Sequence, residues 1–192
     1  LLTDEILQYC AESRAFMPHF HIPLQSGSDE VLRLMHRRYD TQLFADKVAR
    51  VHELMPEAFI GVDVIVGTRG ETGVLFDEGE AFIRSLDVSQ LHVFGYSERP
   101  GTAALKIPHT VRPEEKHERS QRLLAISDEK LRAFCGRFVG CEMPVLWEHS
   151  RKDNVYEGFT PNYIRVQAKS DSTIDNTISN IVLDETNICC NT

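Results

Sequence analysis

The sequence predicts an α/β architecture, a parallel sheet of strands alternating with helices, followed by a small all-β barrel. Two near-continuous apolar runs rich in β-branched residues, Phe59 to Gly67 and Gln90 to Tyr96, alternate with segments of helical periodicity, as strands buried on both faces of a parallel sheet do. After Gly140 the helical pattern gives way to short apolar runs separated by polar turns, the signature of a small antiparallel barrel. The division falls at residues 1–138 and 139–192. A complete (β/α)₈ barrel takes about 250 residues, so the first part, if it is barrel-like, is part of a (β/α) barrel rather than a whole one.

A short helix is predicted over residues 3–14, with Thr3 as N-cap, Asp4 and Glu5 in the first turn, and Ile6, Leu7 and Cys10 at helical spacing. Met17 to Leu24 carries two prolines and predicts a strand that ends in the turn Gln25-Ser26-Gly27-Ser28. Ser28 then caps a helix with Val31, Leu34 and Met35 as its apolar stripe, and Thr41 is the expected cap of the next, with Phe44, Val48, Val51 and Met55 along one face. The run 59–67 is the second strand, residues 73–86 a helix, and the run 90–96 the third strand. Pro113 suits the first position of a long helix reaching Phe138. Beyond it, the strands are expected near 144–148, 163–167 and 178–183.

Composition narrows the function classes. The 192 residues carry a formal net charge of −8 with 42% hydrophobic residues, which suits a folded domain and argues against indiscriminate coating of nucleic acid. No apolar run approaches the roughly 18 residues of a membrane span. The five cysteines are scattered and odd in number, which argues against a disulfide framework and for a reducing cytoplasm. The chain starts without Met or a secretory leader, so it is expected to be a fragment.

Ligands of parallel α/β sheets bind beyond the carboxyl ends of the strands, and three polar, glycine-bearing segments fall there: 23–28, 66–72 and 94–102. Gln25, Ser26, Glu71 and Ser97 offer hydrogen-bonding groups at that rim. Taken singly, Gly67 to Gly70 and Arg99 to Thr102 also fit ordinary turns. His19 and His21 point the same way on a strand, an arrangement open to metal binding or to packing. Asp63, the one charge in its strand, is equally open to structural pairing or a site role. The charged residues between Arg112 and Arg132 predict a solvated helix face. Trp147, Tyr156, Phe159 and Tyr163 could stack on unpaired bases, although core packing is the commoner use of such residues. The adjacent Cys189 and Cys190 suggest a frayed tail, and no Cys-x-x-x-Cys-x-x-Cys spacing occurs.

Together, in order, His21-Ile22-Pro23-Leu24-Gln25-Ser26-Gly27-Ser28-Asp29, Met35-His36-Arg37-Arg38-Tyr39, Asp63 to Gly67 with Gly70-Glu71-Thr72, and Tyr96 to Thr102 resemble the radical SAM methylthiotransferases. Residues from Gly140 on resemble that family's TRAM domain, an OB-like barrel, most clearly at Gly158 to Tyr163. Ser89 to Phe94 and the Asn162-Tyr163 pair are most similar to the branch acting on N6-threonylcarbamoyladenosine 37 of the tRNA anticodon loop. The resemblance implies S-adenosylmethionine and two [4Fe-4S] clusters, whose cysteine ligands would lie upstream of Leu1, together with an electron donor of unspecified identity. It implies hydrogen abstraction from adenine C2 and methylthio insertion there, with the isolated fragment inactive. It further implies a cofactor pocket in which Arg37 pairs with the methionyl carboxylate, Gln25 and Ser26 line the wall, Gly67 and Glu71 support the adenosyl group, and Phe94 and Tyr96 flank adenine. Thr68-Arg69 stands where many members have Phe-Pro. The alternatives are the branch modifying an aspartate of a ribosomal protein, a nonenzymatic RNA-binding module and, more distantly, a metal hydrolase built on His19 and His21.

Overall fold

The structure is a computed structural model that describes residues 2–148 and 154–189. Helix α1 (Asp4–Glu12) starts at Thr3, whose hydroxyl accepts the Ile6 N–H, and precedes β1 (His19–Gln25). Helices α2 (Asp29–Leu34) and α3 (Thr41–Leu54) connect β1 to β2 (Phe59–Val66). The N-cap of α3 is Asp40, whose carboxylate accepts the Leu43 N–H, rather than the expected Thr41, which is the first helical residue. Asp suits this place because its side chain satisfies a helix-start N–H while its charge meets the positive end of the dipole. Helix α4 (Gly73–Ser85), capped by Thr72, leads to β3 (Gln90–Gly95), and a 3₁₀ turn (Ala103–Lys106) leads to α5 (Pro113–Gly136).

The three strands form a parallel sheet in the order β1-β2-β3. Phe20, Leu24, Ile60, Val62, Val64 and Val66 of β1 and β2, with Leu91 of β3, are buried in one core with Leu7 of α1, Phe44, Val48 and Val51 of α3, Phe76 and Ile83 of α4, and Leu123 and Ile126 of α5. Helices therefore cover one face. The other face carries His21, Asp63, His92 and Phe94, a sidedness that follows from the period-2 alternation of strands. In a closing barrel this second face is the interior.

The second unit is a four-stranded antiparallel sheet, ordered β6-β5-β4-β7, of β4 (Glu142–Trp147), β5 (Val155–Phe159), β6 (Arg165–Lys169) and β7 (Ile178–Val182). The segment 187–189 runs along the free edge of β6, with an Ile188–Val166 bridge and a Cys189 N–H to Arg165 carbonyl bond of 2.8 Å. Cys189 is thus held in place rather than frayed; Cys190 lies outside the described residues. Trp147 (2% exposed) and Tyr156 (7% exposed) are core residues here, and Gly158 lets β5 approach β4: a Cβ there would sit 2.6 Å from the Leu146 carbonyl oxygen. Phe59 of β2 joins this second core with Phe134 and Phe138, and Asn162 donates to the Glu57 carbonyl at 3.2 Å, so the two units share packing. No helix among the described residues is long and apolar enough to cross a membrane.

Candidate functional site at the carboxyl ends of the strands

The first wall is built by the end of β1. Pro23 pairs with Asp63 and Gln25 with Val64, so Leu24 is an extra residue, a bulge that redirects the chain. Gln25 itself takes a left-handed conformation, φ 73°, a strained choice for a residue with a side chain and one concentrated at ligand sites. Gln25 and Ser26 are both nearly buried, and the Ser26 hydroxyl accepts the Ser28 N–H at 3.2 Å. The Gln25 side-chain carbonyl accepts a hydrogen bond from the Arg37 guanidinium at 3.0 Å.

Arg37 reaches that point through the way α2 ends. His36 adopts φ 55°, its N–H bonds to the Arg33 carbonyl at 3.0 Å, and the Arg37 N–H bonds to the Leu32 carbonyl at 2.9 Å. This Schellman arrangement turns the chain back toward the sheet. The Tyr39 hydroxyl, 3.0 Å from the Pro23 and Leu24 carbonyls, fixes the bulge from the same side. Gly27 packs on α4 so closely that a Cβ there would lie 2.3 Å from the Gly79 carbonyl oxygen.

The second wall follows β2. Gly67, at φ 77°, donates its N–H to the Glu71 carboxylate at 3.1 Å. That carboxylate is 4% exposed and faces the equally buried guanidinium of Arg119, with 2.6 Å between Arg119 Nη1 and Glu71 Oε1. Arg119 also donates to the Glu71 carbonyl at 3.0 Å and to Glu115, and lies over the Phe76 ring at 5.0 Å. Arg119 thereby corrects the expectation of a solvated charged face on α5, because the helix packs this side chain under the loop. Burial pushes the Glu71 carboxyl above the usual range, opposed by the Arg119 hydrogen bond and the Gly67 N–H. Glu71 is therefore an internal brace of the loop, not an exposed rim group. Beside it the Thr68 hydroxyl, 2% exposed as a residue, has no hydrogen-bond partner, an unusual state for a buried polar atom.

Arg69 ties this loop to the third wall, donating to Glu98 at 2.7 Å and to the Leu105 and Ile107 carbonyls at 3.0 and 2.9 Å. Tyr96 donates its N–H to the Val66 carbonyl at 2.8 Å, and Lys116 of α5 bonds to the Tyr96 carbonyl at 3.2 Å. Phe94 is half exposed on the open face. Gln25 with Arg37, the Gly67–Glu71 loop and Tyr96 thus sit on one rim at the ends of adjacent strands, and cross-loop bonds join the loops that follow β2 and β3. Arg119 and Lys116 are its contributors that sequence patterning did not single out.

Below the rim, the open face carries an imidazole cluster. His21 Nε2 lies 2.5 Å from Asp63 Oδ1, and the His21 and His92 rings stack at 4.6 Å and 9°. His19 instead stacks on Tyr163 of the second unit at 4.1 Å, and Tyr163 in turn stacks on Phe159 at 4.9 Å. The two histidines read as a possible ligand pair are therefore engaged with different partners, and among the described residues no three His, Cys, Asp or Glu side chains converge as metal ligands. A cavity of about 260 Å³ lined by Phe59, Cys135, Phe159, Tyr163 and Cys189 lies at the amino ends of the strands, the end that parallel sheets do not use for ligands.

No family model matches the chain. It is 36% identical over 172 residues, 88% of its length, to the threonylcarbamoyladenosine tRNA methylthiotransferase MtaB of Bacillus subtilis. It is 40% identical over 156 residues, 80% of its length, to a tRNA-2-methylthio-N(6)-dimethylallyladenosine synthase of Thermobifida fusca. The chain spans 38% and 32% of those two proteins. Among solved structures it is similar to coproporphyrinogen III oxidase (HemN) of Escherichia coli, a radical SAM enzyme, with a TM-score of 0.57 and 16% identity over 83% of this chain and 44% of that one. The likeness in fold to a radical SAM enzyme and the likeness in sequence to two kinds of methylthiotransferase agree: the chain belongs to the radical SAM methylthiotransferase family.

Proposed function

We propose that residues 1–138 form the later strands of a radical SAM barrel and residues 139–192 a TRAM-like domain, in a cytoplasmic enzyme that places a methylthio group on C2 of N6-threonylcarbamoyladenosine 37 in tRNA. The observation that carries this reading is the common placement of Gln25 with Arg37, of Gly67 and of Tyr96 at the carboxyl ends of the adjacent parallel strands β1, β2 and β3, with Gln25 bonded to Arg37 and the Tyr96 N–H bonded to the Val66 carbonyl.

The rim suits S-adenosylmethionine. Arg37 presents an exposed guanidinium at the end of β1, oriented by Gln25, and its planar fork matches a carboxylate. Arg37 would hold the methionyl carboxylate, with Gln25 fixing the guanidinium and Ser26 lining the wall. Gly67 would support the adenosyl group, with Glu71 bracing the loop from behind, and Phe94 and Tyr96 would flank the adenine. When bound, S-adenosylmethionine together with a reduced iron-sulfur cluster supplies radical chemistry able to break an unreactive C–H bond. No cysteine spacing here fits a cluster. The ligands of two such clusters would come from the part of the relatives that this chain does not span, and an electron donor would serve them. Without that part the chain would not turn over.

Threonylcarbamoyladenosine is preferred to the dimethylallyl substrate on the similarity of Ser89 to Phe94 and of Asn162-Tyr163 to that branch, together with the 36% identity to MtaB over 172 residues. The full-length enzyme, reconstituted anaerobically, should convert tRNA bearing threonylcarbamoyladenosine to a product heavier by one methylthio group in place of hydrogen, read by mass spectrometry of digested nucleosides. Conversion only of dimethylallyl-bearing tRNA, or of no tRNA, overturns the assignment.

A further inference from the structure

We infer that His21, Asp63 and His92 on the open face of the sheet form a specificity site that recognises the polar N6 substituent of the target adenosine. This rests on the proposed function and extends it to residues with no role in the rim. Two features of the face support it. First, it is built to bring the three side chains together: Gly61 lies between His21 and Gln90 in the register, and a Cβ on it would come within 3.2 Å of His92 Nε2. Glycine at this position leaves the space into which the His92 ring leans and on which His21 stacks. Second, the polarity is misplaced for a merely structural surface. Asp63 and His92 occupy directly paired positions on neighbouring strands, in the row just below exposed Phe94, and Asp63 is only 25% exposed.

The chemistry discriminates between the two substrates in the names of the relatives. A threonylcarbamoyl group has a ureido N–H and carbonyl, a hydroxyl and a carboxylate, whereas a dimethylallyl group is a hydrocarbon. The histidines supply ring N–H donors and Asp63 an acceptor. Burial holds His92 below the ordinary histidine range, so near neutral pH its ring offers one donor and one acceptor. A dimethylallyl group against this face would strip water from three polar side chains and return no hydrogen bond, which is how sites built for hydrogen bonding reject apolar analogues.

The test uses the full-length reconstituted enzyme, tRNA bearing either N6 substituent, and two variants. His92→Leu should lower kcat/KM on threonylcarbamoyl-bearing tRNA about 10- to 100-fold, the scale of a lost buried hydrogen bond with its partner left unpaired. Its affinity for S-adenosylmethionine, held at the rim, should stay within about twofold, and its preference for the dimethylallyl tRNA should rise. His92→Gln, which keeps a donor and an acceptor, should fall between wild type and His92→Leu, and it carries the test if the leucine variant fails to fold. A wild-type enzyme that acts on threonylcarbamoyladenosine while both variants remain within about threefold of it, or lose both substrates equally, overturns this inference and leaves the proposed function standing. A wild-type enzyme that does not act on threonylcarbamoyladenosine removes the functional reading, and this inference with it.

Discussion

Removing the guanidinium of Arg119 probes the brace beneath the rim. In Arg119→Met the Glu71 carboxylate, 4% exposed, loses its 2.6 Å partner and keeps only the neutral backbone N–H groups of Gly67 and Thr68 at the loop, while the Glu71 carbonyl loses a second bond. Breaking one side of a buried ion pair costs about 3–5 kcal/mol. With a urea m-value of about 2–3 kcal/mol/M, the unfolding midpoint should fall by about 1–2 M. The deficit should shrink on acidification. Burial already raises the Glu71 carboxyl, and without Arg119 its native pKa rises further above the unfolded value. Between the two values the native state holds a proton that the unfolded state has released, so stability declines as pH rises and recovers as pH falls. Replacing both residues, as Glu71→Leu with Arg119→Met, should restore much of the loss, because two apolar groups leave no bare charge. A midpoint shift below about 0.3 M for the single variant, or a double variant worse than the single, would refute the buried-pair reasoning.

Two other outcomes follow from the same geometry. Gly27→Ala must force the β1 loop off α4, since its Cβ would meet the Gly79 carbonyl oxygen at 2.3 Å; a loss of about 1–3 kcal/mol is expected in thermal or urea unfolding, and an unchanged midpoint would show that the contact yields freely. His19 and His92 are both held below the ordinary histidine range, chiefly by burial, so as pH falls through about 6.5 the unfolded chain takes up protons the native state resists, and stability drops. Unfolding midpoints measured from pH 7.5 to 5.5 should decline less steeply in His92→Gln; identical slopes would show that His92 does not titrate in this way.

The parallel strands were legible because their apolar runs and β-branched residues are local signals, and the three rim segments because glycine and polar turn residues mark strand ends. Arg119 was not legible. It sits among near-equal numbers of acidic and basic residues on α5, and what buries it is a partner 48 positions away, a tertiary fact that periodicity does not carry. Asp40 displaced Thr41 as a cap because both neighbours are capable caps and only backbone geometry separates them. Strand β5 escaped notice as a strand because Gly158 interrupts its short pattern, although that glycine is what admits the neighbouring strand. Tyr163 was legible as an aromatic but not as the ring stacked between His19 and Phe159, where the two units meet. His92 carried no local cue of its partnership with His21 and Asp63, which depends on strand register and on the missing side chain of Gly61.

We propose that the rim at the strand ends holds S-adenosylmethionine, with Arg37 as the anchor of its carboxylate. Equilibrium binding of S-adenosylmethionine to the full-length reconstituted protein, compared between wild type and Arg37→Ala, tests it most directly, with circular dichroism confirming that the variant is folded. The account predicts affinity weakened by at least about tenfold, the scale of a lost charge-assisted hydrogen bond, with unfolding little changed because Arg37 is exposed and bonds only to Gln25 through its side chain among the described residues. Unchanged affinity in a folded Arg37→Ala protein would contradict it.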